Sequence, residues 1–220
     1  MEIVYEDEYL YVIRKEAGEP VETRSIGTKD IVTMLKNIRV KKKENPYIGV
    51  INRLDQPVEG LLLVAKDNKT AAMLSEELKK HAIDKHYYVV CYGIPSGNEY
   101  RDFIDFDKKS NLSFVTDGKS GKESLLEFKV IKTFEVNEEK VSLVDINLLT
   151  GRHHQIRVQF ASHGHPLLGD RKYGNKEGSD AKNVALCSYE LSFIHPYKNE
   201  PLCFKIKPSG KAFMPCEYSF

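Results

Sequence analysis

Arg53 and Asp55 stand two apart in the stretch Asn52-Arg53-Leu54-Asp55-Gln56-Pro57-Val58-Glu59-Gly60, a loop broken by Pro57 and Gly60. A carboxylate beside a guanidinium in a partly desolvated loop stays ionised at neutral pH, and the planar fork orients it. Such a group can serve as nucleophile or general base. The bland reading is an ordinary surface ion pair, and these residues alone do not choose. Arg157 is a second candidate partner for the carboxylate, and both arginines could instead hold phosphate. A glycosidase-like hydrolase working through Asp55 and Glu59 would need a defined carboxylate separation, which a Pro-containing loop does not set.

The other reactive residue types exclude more than they assign. His154, His163 and His165 lack both metal-ligand spacing and a nearby cysteine, so they predict no metal site. His154 is better placed to orient a loop or touch a phosphate. There is no Ser in a Gly elbow, no phosphate-binding Gly-rich loop and no dinucleotide fingerprint. Tyr87 sits near the start of a strand, where a packed tyrosine is the default reading.

These residues need elements to hold them. Leu61-Leu62-Leu63-Val64-Ala65-Lys66 reads as a short, fully buried strand directly after the Asp55 loop. A rigid strand carrying a carboxylate-bearing loop suits a site. Upstream, Ile3-Val4-Tyr5 and Leu10-Tyr11-Val12-Ile13 read as strands flanking the acidic turn Glu6-Asp7-Glu8. Thr28 is positioned to cap a helix through Ile31, Val32, Leu35 and Ile38 that ends, solvated, in Arg39-Val40-Lys41-Lys42-Lys43. Asn68 is expected to cap a second helix from Lys69 to about Ala82. A strand follows over Tyr87 to Gly93, entered through Lys85-His86, and then a polar, glycine-containing section with an edge strand over Arg101 to Phe106. Strands at Ser124 to Thr133 and Val141 to Leu149 turn at Glu138-Glu139. The segment after Gly151 resumes helical spacing, with His154, Arg157 and Ala161 on one face. Last come strands at Val184 to Phe193 and Cys203 to Lys207. Many hairpin-linked strands and about three helices predict an α+β fold with a twisted, largely antiparallel mixed sheet.

Composition bounds the class. The chain has 220 residues, 41% hydrophobic and 30% charged, which describes a globular protein with a real core. No apolar run reaches the length of a membrane span, and the acidic N-terminus lacks a signal-peptide pattern, so a cytoplasmic protein is expected. Cys91, Cys187, Cys203 and Cys216 lie far apart and read as buried thiols. A net charge of +1 neither supports nor excludes RNA as a partner.

Taken together, the motifs resemble the RluA family of RNA pseudouridine synthases over nearly the whole chain. Arg53-Leu54-Asp55 with Gly60-Leu61-Leu62-Leu63-Val64-Ala65-Lys66 resembles the family's catalytic motif. Thr150-Gly151-Arg152-His153-His154-Gln155-Ile156-Arg157-Val158, then Gly164-His165-Pro166-Leu167-Leu168-Gly169-Asp170 and Tyr173-Gly174, resembles its second signature. Lys85 and Tyr87 are similar to its Lys-x-Tyr segment, and Tyr5-Glu6-Asp7-Glu8-Tyr9-Leu10 to its opening strands. The resemblance implies one pseudouridine synthase catalytic domain over residues 1–220, with a central RNA-binding cleft and no separate N-terminal RNA-binding domain. It implies isomerisation of uridine to pseudouridine in ribosomal or transfer RNA by base flipping, without cofactor or metal, in a monomer.

The resemblance also assigns roles. Asp55 matches the catalytic aspartate, Tyr87 the tyrosine that packs against the base, and Arg157 the arginine that pairs with the carboxylate. Arg53 matches the arginine that fills the gap left by the flipped uridine, and Leu54, Arg152 and His154 join it as substrate contacts. Extruding a stacked uridine costs a few kcal/mol, which a planar guanidinium can offset in part. Three departures stand out: Asn52 in place of His, Gln56-Pro57-Val58-Glu59 in place of a Thr-Ser pair before Gly, and Glu16 after Lys15 where Pro is customary. They motivate an alternative, an RNA-binding or ribosome-assembly factor that keeps the fold without turnover.

Overall fold

The structure is a computed structural model describing residues 1–23, 27–174 and 183–214. The chain divides into two compact units, one built from residues 1–83 and 190–206, the other from 84–189 and 207–220.

In the first unit, β1 (Glu2–Glu6) and β2 (Leu10–Lys15) form a hairpin, and β2 pairs antiparallel with β4 (Glu59–Ala65). The two-residue β3 (Gly49–Val50) lies on β4, which is buried along its whole length, as its apolar run predicts. Helix α1 (Ile31–Lys41) and helix α2 (Asn68–Lys79) complete the first part of the unit. Both are capped by aspartates rather than by the expected Thr28 and Asn68: Asp30 accepts from Thr33 N and Asp67 from Thr70 N. An aspartate accepts a backbone N–H as readily as Asn, and its charge suits the positive end of the helix. The end of the first helix is solvated as expected at Val40, Lys41, Lys42 and Lys43, but Arg39 is buried, its Nε donating to the carbonyl of Asn45. Leu10, Val12, Leu61, Leu63 and Leu74 pack with Leu191 and Phe193 from the C-terminal part of the unit.

The second unit is an antiparallel sheet. Strand β5 (Asp84–Tyr92) pairs with β9 (Glu139–Leu148), which pairs with β8 (Lys122–Val136), and β8 pairs with β6 (Glu99–Asp107). Strand β7 (Leu112–Thr116), hidden in the polar section of the sequence, covers the far side of β6. The segment expected as an edge strand is therefore interior, since it pairs on both sides. Asn137 and Glu138, both with positive φ, make the β8–β9 turn, and Glu139 belongs to the strand. Helix α3 (Gln155–Ser162) packs on this sheet through Phe160, which meets Tyr100 and Phe128 at 5.2 and 5.8 Å between ring centroids. Strand β10 (Leu186–Ile194) gives its first residues to this unit, while its later residues pair with β11 (Pro201–Lys205) in the first. Cys91 and Cys187 are buried as expected, Cys203 on β11 is exposed, and Cys216 is outside the described residues.

Candidate active site

In the first unit, the Asp55 loop is tied down on both sides of its carboxylate. On the upstream side, buried Asn52 reaches across to β4: its Nδ2 donates to Leu61 O at 3.1 Å, and its Oδ1 accepts from Leu63 N at 2.7 Å. A side-chain amide carries N–H donors and a carbonyl acceptor in a single plane, which match the Leu61 carbonyl and the Leu63 N–H of the strand. The departure at position 52 therefore has a structural account. On the downstream side, the chain turns tightly, with Val58 N donating to Asp55 O at 3.1 Å. Gly60 sits at φ 140, a backbone conformation L side chains rarely adopt, where the loop enters β4.

Beneath the turn lies Lys15, with no solvent-exposed surface. Its Nζ donates to three carbonyls, Glu16 at 3.0 Å, Gln56 at 2.9 Å and Val58 at 2.5 Å. Gly18 N and the Gln56 side chain add bonds between the same two segments, at 2.7 and 3.0 Å. Burial pushes the Lys15 ammonium down to about 8, against the pull of the negative charges of Glu19, Asp55, Glu16 and Glu59. An ammonium has three N–H donors and a neutral amine two, so the protonated form is the one that holds all three carbonyls. Arg53 is exposed, Leu54 is buried and anchors the loop, and Asp55 is half-buried.

In the second unit, Tyr87 is buried on β5, opposite Ile146 of β9. After α3 the chain runs back along β5: Leu168 N donates to Val90 O at 2.8 Å, and Tyr92 N to Pro166 O at 3.0 Å. This return delivers Asp170. Its carboxylate takes a two-point grip on Arg157, with Nε donating to Oδ2 at 2.7 Å and Nη2 to Oδ1 at 2.8 Å. Both partners are buried, and the fork fixes the plane of the guanidinium. Two of its five N–H donors are spent there. Tyr173 caps the arrangement, its ring centroid 5.3 Å from Arg157 Cζ.

The start of α3 is held by side chains rather than by an ordinary cap. His154 occupies the capping position at φ 54, in the left-handed region, and its side chain makes no capping bond. Gln155 takes over: its Oε1 accepts from Thr150 Oγ1 at 2.8 Å and from Arg152 N at 3.0 Å, while Nε2 donates to Leu125 O at 3.2 Å. The expected shared face of His154, Arg157 and Ala161 does not form, because His154 lies before the helix. Instead His154 Nδ1 and Tyr173 Oη meet at 2.7 Å, so Tyr173 joins His154 to Arg157. Arg152 is exposed and donates twice to Glu123 O at 3.1 Å. Asp170, Tyr173 and Gln155 were quoted in the sequence only as parts of a signature. Asp170 meets Arg157 across 13 residues, Tyr173 meets His154 across 19, and Gln155, besides its near neighbours Thr150 and Arg152, reaches Leu125 across 30, and no local pattern marks them. Lys15 gave one cue, a lone lysine closing an apolar strand.

Among the described residues no group of His, Cys, Asp and Glu could hold a metal ion, and no helix is long and apolar enough to cross a membrane.

Comparison with known proteins gives the family. A family model described as RNA pseudouridylate synthase matches residues 9–162. A ribosomal large subunit pseudouridine synthase D of Zymomonas mobilis is 31% identical, over 93% of this chain and 68% of that protein. A tRNA pseudouridine synthase C of Vibrio parahaemolyticus is 26% identical, over 93% of this chain and 89% of that one. Among solved structures, human RNA Pseudouridylate Synthase Domain Containing 4 has the same fold, with a TM-score of 0.75 at 21% identity over 94% of this chain and 89% of that one. With the family matched across most of its length, the chain belongs to the RNA pseudouridine synthases of the RluA type.

Proposed function

We propose that this chain converts specific uridines of structured ribosomal or transfer RNA to pseudouridine, with Asp55 as the group that attacks the extruded nucleotide. The observation that carries the reading is the Asp55 loop itself, tied to β4 by Asn52 and to β2 by Lys15 in a member of this family. A carboxylate that must meet a flipped nucleotide gains from being held before the substrate arrives. Ribosomal and transfer RNA are both named among the relatives' substrates.

In this reading the N1–C1′ bond of the uridine breaks, a C5–C1′ bond forms, the C5 proton leaves and N1 takes up a proton, so the reaction balances without a redox partner. Asp55 acts at the base or at C1′. Tyr87 packs against the uracil, exposed Arg53 fills the space the nucleotide leaves, and Arg157 supplies positive charge to the carboxylate. Leu54, Arg152 and His154 contact the RNA around it. Water exclusion strengthens each of these electrostatic contacts. Arg157 is suited to its role because Asp170 fixes the plane of its guanidinium.

The test is tritium release from uridine labelled at C5, in RNA from cells lacking this protein. Wild type should release tritium and Asp55→Asn should not, a loss of at least about 1,000-fold for removing the reacting group. Failure of both proteins to release tritium, with RNA binding retained, would replace this reading by the assembly factor.

A further inference from the structure

In the second unit the β6–β7 hairpin leans on the start of α3 through one buried residue, Ser113. Its Oγ donates to His153 O at 2.7 Å and therefore accepts from His153 Nδ1 at 2.9 Å. Its backbone N–H donates to Tyr173 Oη at 2.9 Å, which leaves the Tyr173 hydroxyl hydrogen for His154 Nδ1. The two imidazoles are thus held in defined orientations and stack at 3.7 Å, 30° apart. Directly across the ladder from Ser113 lies Phe106, 4.3 Å from the His153 ring and 37% exposed. Phe106 and His153 are both exposed, so the aromatic line that begins at buried Arg157 and half-buried Tyr173 ends in solvent.

Two cations stand beside members of this line along the chain, Arg152 before His153 and Lys172 before Tyr173. Arg152, next to His153, has spent Nε and Nη2 on Glu123 O. Exposed Lys172 is held on the hairpin by Asn111 O at 2.9 Å. The hairpin's own Asp107 is turned inward on its turn, accepting from Lys109 N, Ser110 N and Ser110 Oγ.

A flat apolar surface flanked by cations matches a nucleobase joined to phosphate, because every base has a stacking face and every nucleotide a negative charge. We propose that Phe106 with the His153–His154 stack is a platform for an unpaired base of the RNA strand next to the target uridine, with Arg152 and Lys172 taking its phosphates. The inference rests on the RNA isomerase reading and adds the position where the flanking strand is read. A platform of this kind selects single-stranded or looped targets over duplex, since only an unstacked base can occupy it.

Tritium-release kinetics on RNA from cells lacking the protein would test it, with Phe106→Ala and Phe106→Tyr beside wild type. Phe106→Ala should raise KM about tenfold, the loss of one stacked base, with kcat within about twofold. Phe106→Tyr, which keeps the ring, should restore KM. An unchanged KM for Phe106→Ala, or a fall in kcat alone, would overturn the platform while leaving the isomerase intact. Absence of release by wild type would instead overturn the parent reading, and the platform with it.

Discussion

Lys15 is the residue whose role the structure changes most. Its side chain is buried with the charge retained, and what it gains in return is three carbonyls of the loop that carries Asp55. The cost has a sign. Its folded-state value of about 8 lies below the ordinary 10.5, so between these pH values the unfolded chain holds a proton that the folded chain has released. Raising the pH through that window therefore favours folding. Below about 8 the full charging penalty is present, and above 10.5 it is gone. A Lys15→Met variant lacks this titration. The stability of wild type relative to Lys15→Met should therefore rise by up to about 1 kcal/mol per pH unit between pH 8 and 10. Urea unfolding at several pH values measures it, and a flat difference would mean that Lys15 keeps its proton in the fold across this range, its affinity for the proton not lowered by burial. Asn52 works at the same scale. Its identity departs from the family's usual histidine, yet its hydrogen bonds to Leu61 and Leu63 give it a local purpose that does not require lost catalysis.

At the scale of elements, the helices were easier to place than to bound. The apolar spacing of Ile31, Val32 and Leu35 located α1, and that of Leu74 located α2. The caps were misassigned because Thr28, Asp30, Asp67 and Asn68 are all acceptable capping types, and only backbone geometry separates them. Asp30 and Asp67 each take an extended backbone and accept the N–H three residues on, at 2.7 and 2.8 Å. Replacing either with Ala should cost about 1 kcal/mol, whereas Thr28→Ala and Asn68→Ala should cost much less. Thermal unfolding of the four variants distinguishes the assignments. Strand β7 escaped the sequence reading for a different reason. Its residues Leu112-Ser113-Phe114-Val115-Thr116 leave Phe114 exposed and bury Ser113, the reverse of what an alternation of polar and apolar types predicts. The inversion has a local reason at the start of α3, where buried Ser113 hydrogen-bonds with His153.

At the scale of the molecule, the first unit is closed by contacts between the two ends of the chain segment that forms it. Asp7, in the β1–β2 turn, accepts from His195 Nε2 and Lys198 Nζ, both at 2.8 Å. Burial raises the Asp7 carboxyl, but hydrogen bonds from Lys198, Tyr9, Leu10 and Tyr5 outweigh it and hold the group well below the usual carboxylate range. Charge is otherwise balanced, with a net +1, so RNA affinity must come from where cations sit rather than from their excess. If Arg152 and Lys172 each meet one phosphate, affinity should fall by about one order of magnitude between about 50 and 200 mM salt. Filter binding of Asp55→Asn across that range measures the slope, and binding indifferent to salt would remove phosphate contacts from the account.

The sequence alone determined the chemistry's vocabulary and most of the elements. The Arg53-Leu54-Asp55 loop before a buried strand, and the Gly151-to-Val158 signature, are local patterns, written in residue types a few positions apart. Periodicity is equally local, so β2, β4, β5 and the three helices were legible within a few residues. What only the tertiary structure decided is which distant groups satisfy one another. Lys15 meets Val58 across 43 positions, Ser113 meets His153 across 40, and Asp7 meets His195 across 188. A buried polar group must find a partner wherever the fold brings one, and that choice is made by burial and geometry, which no spacing along the chain records.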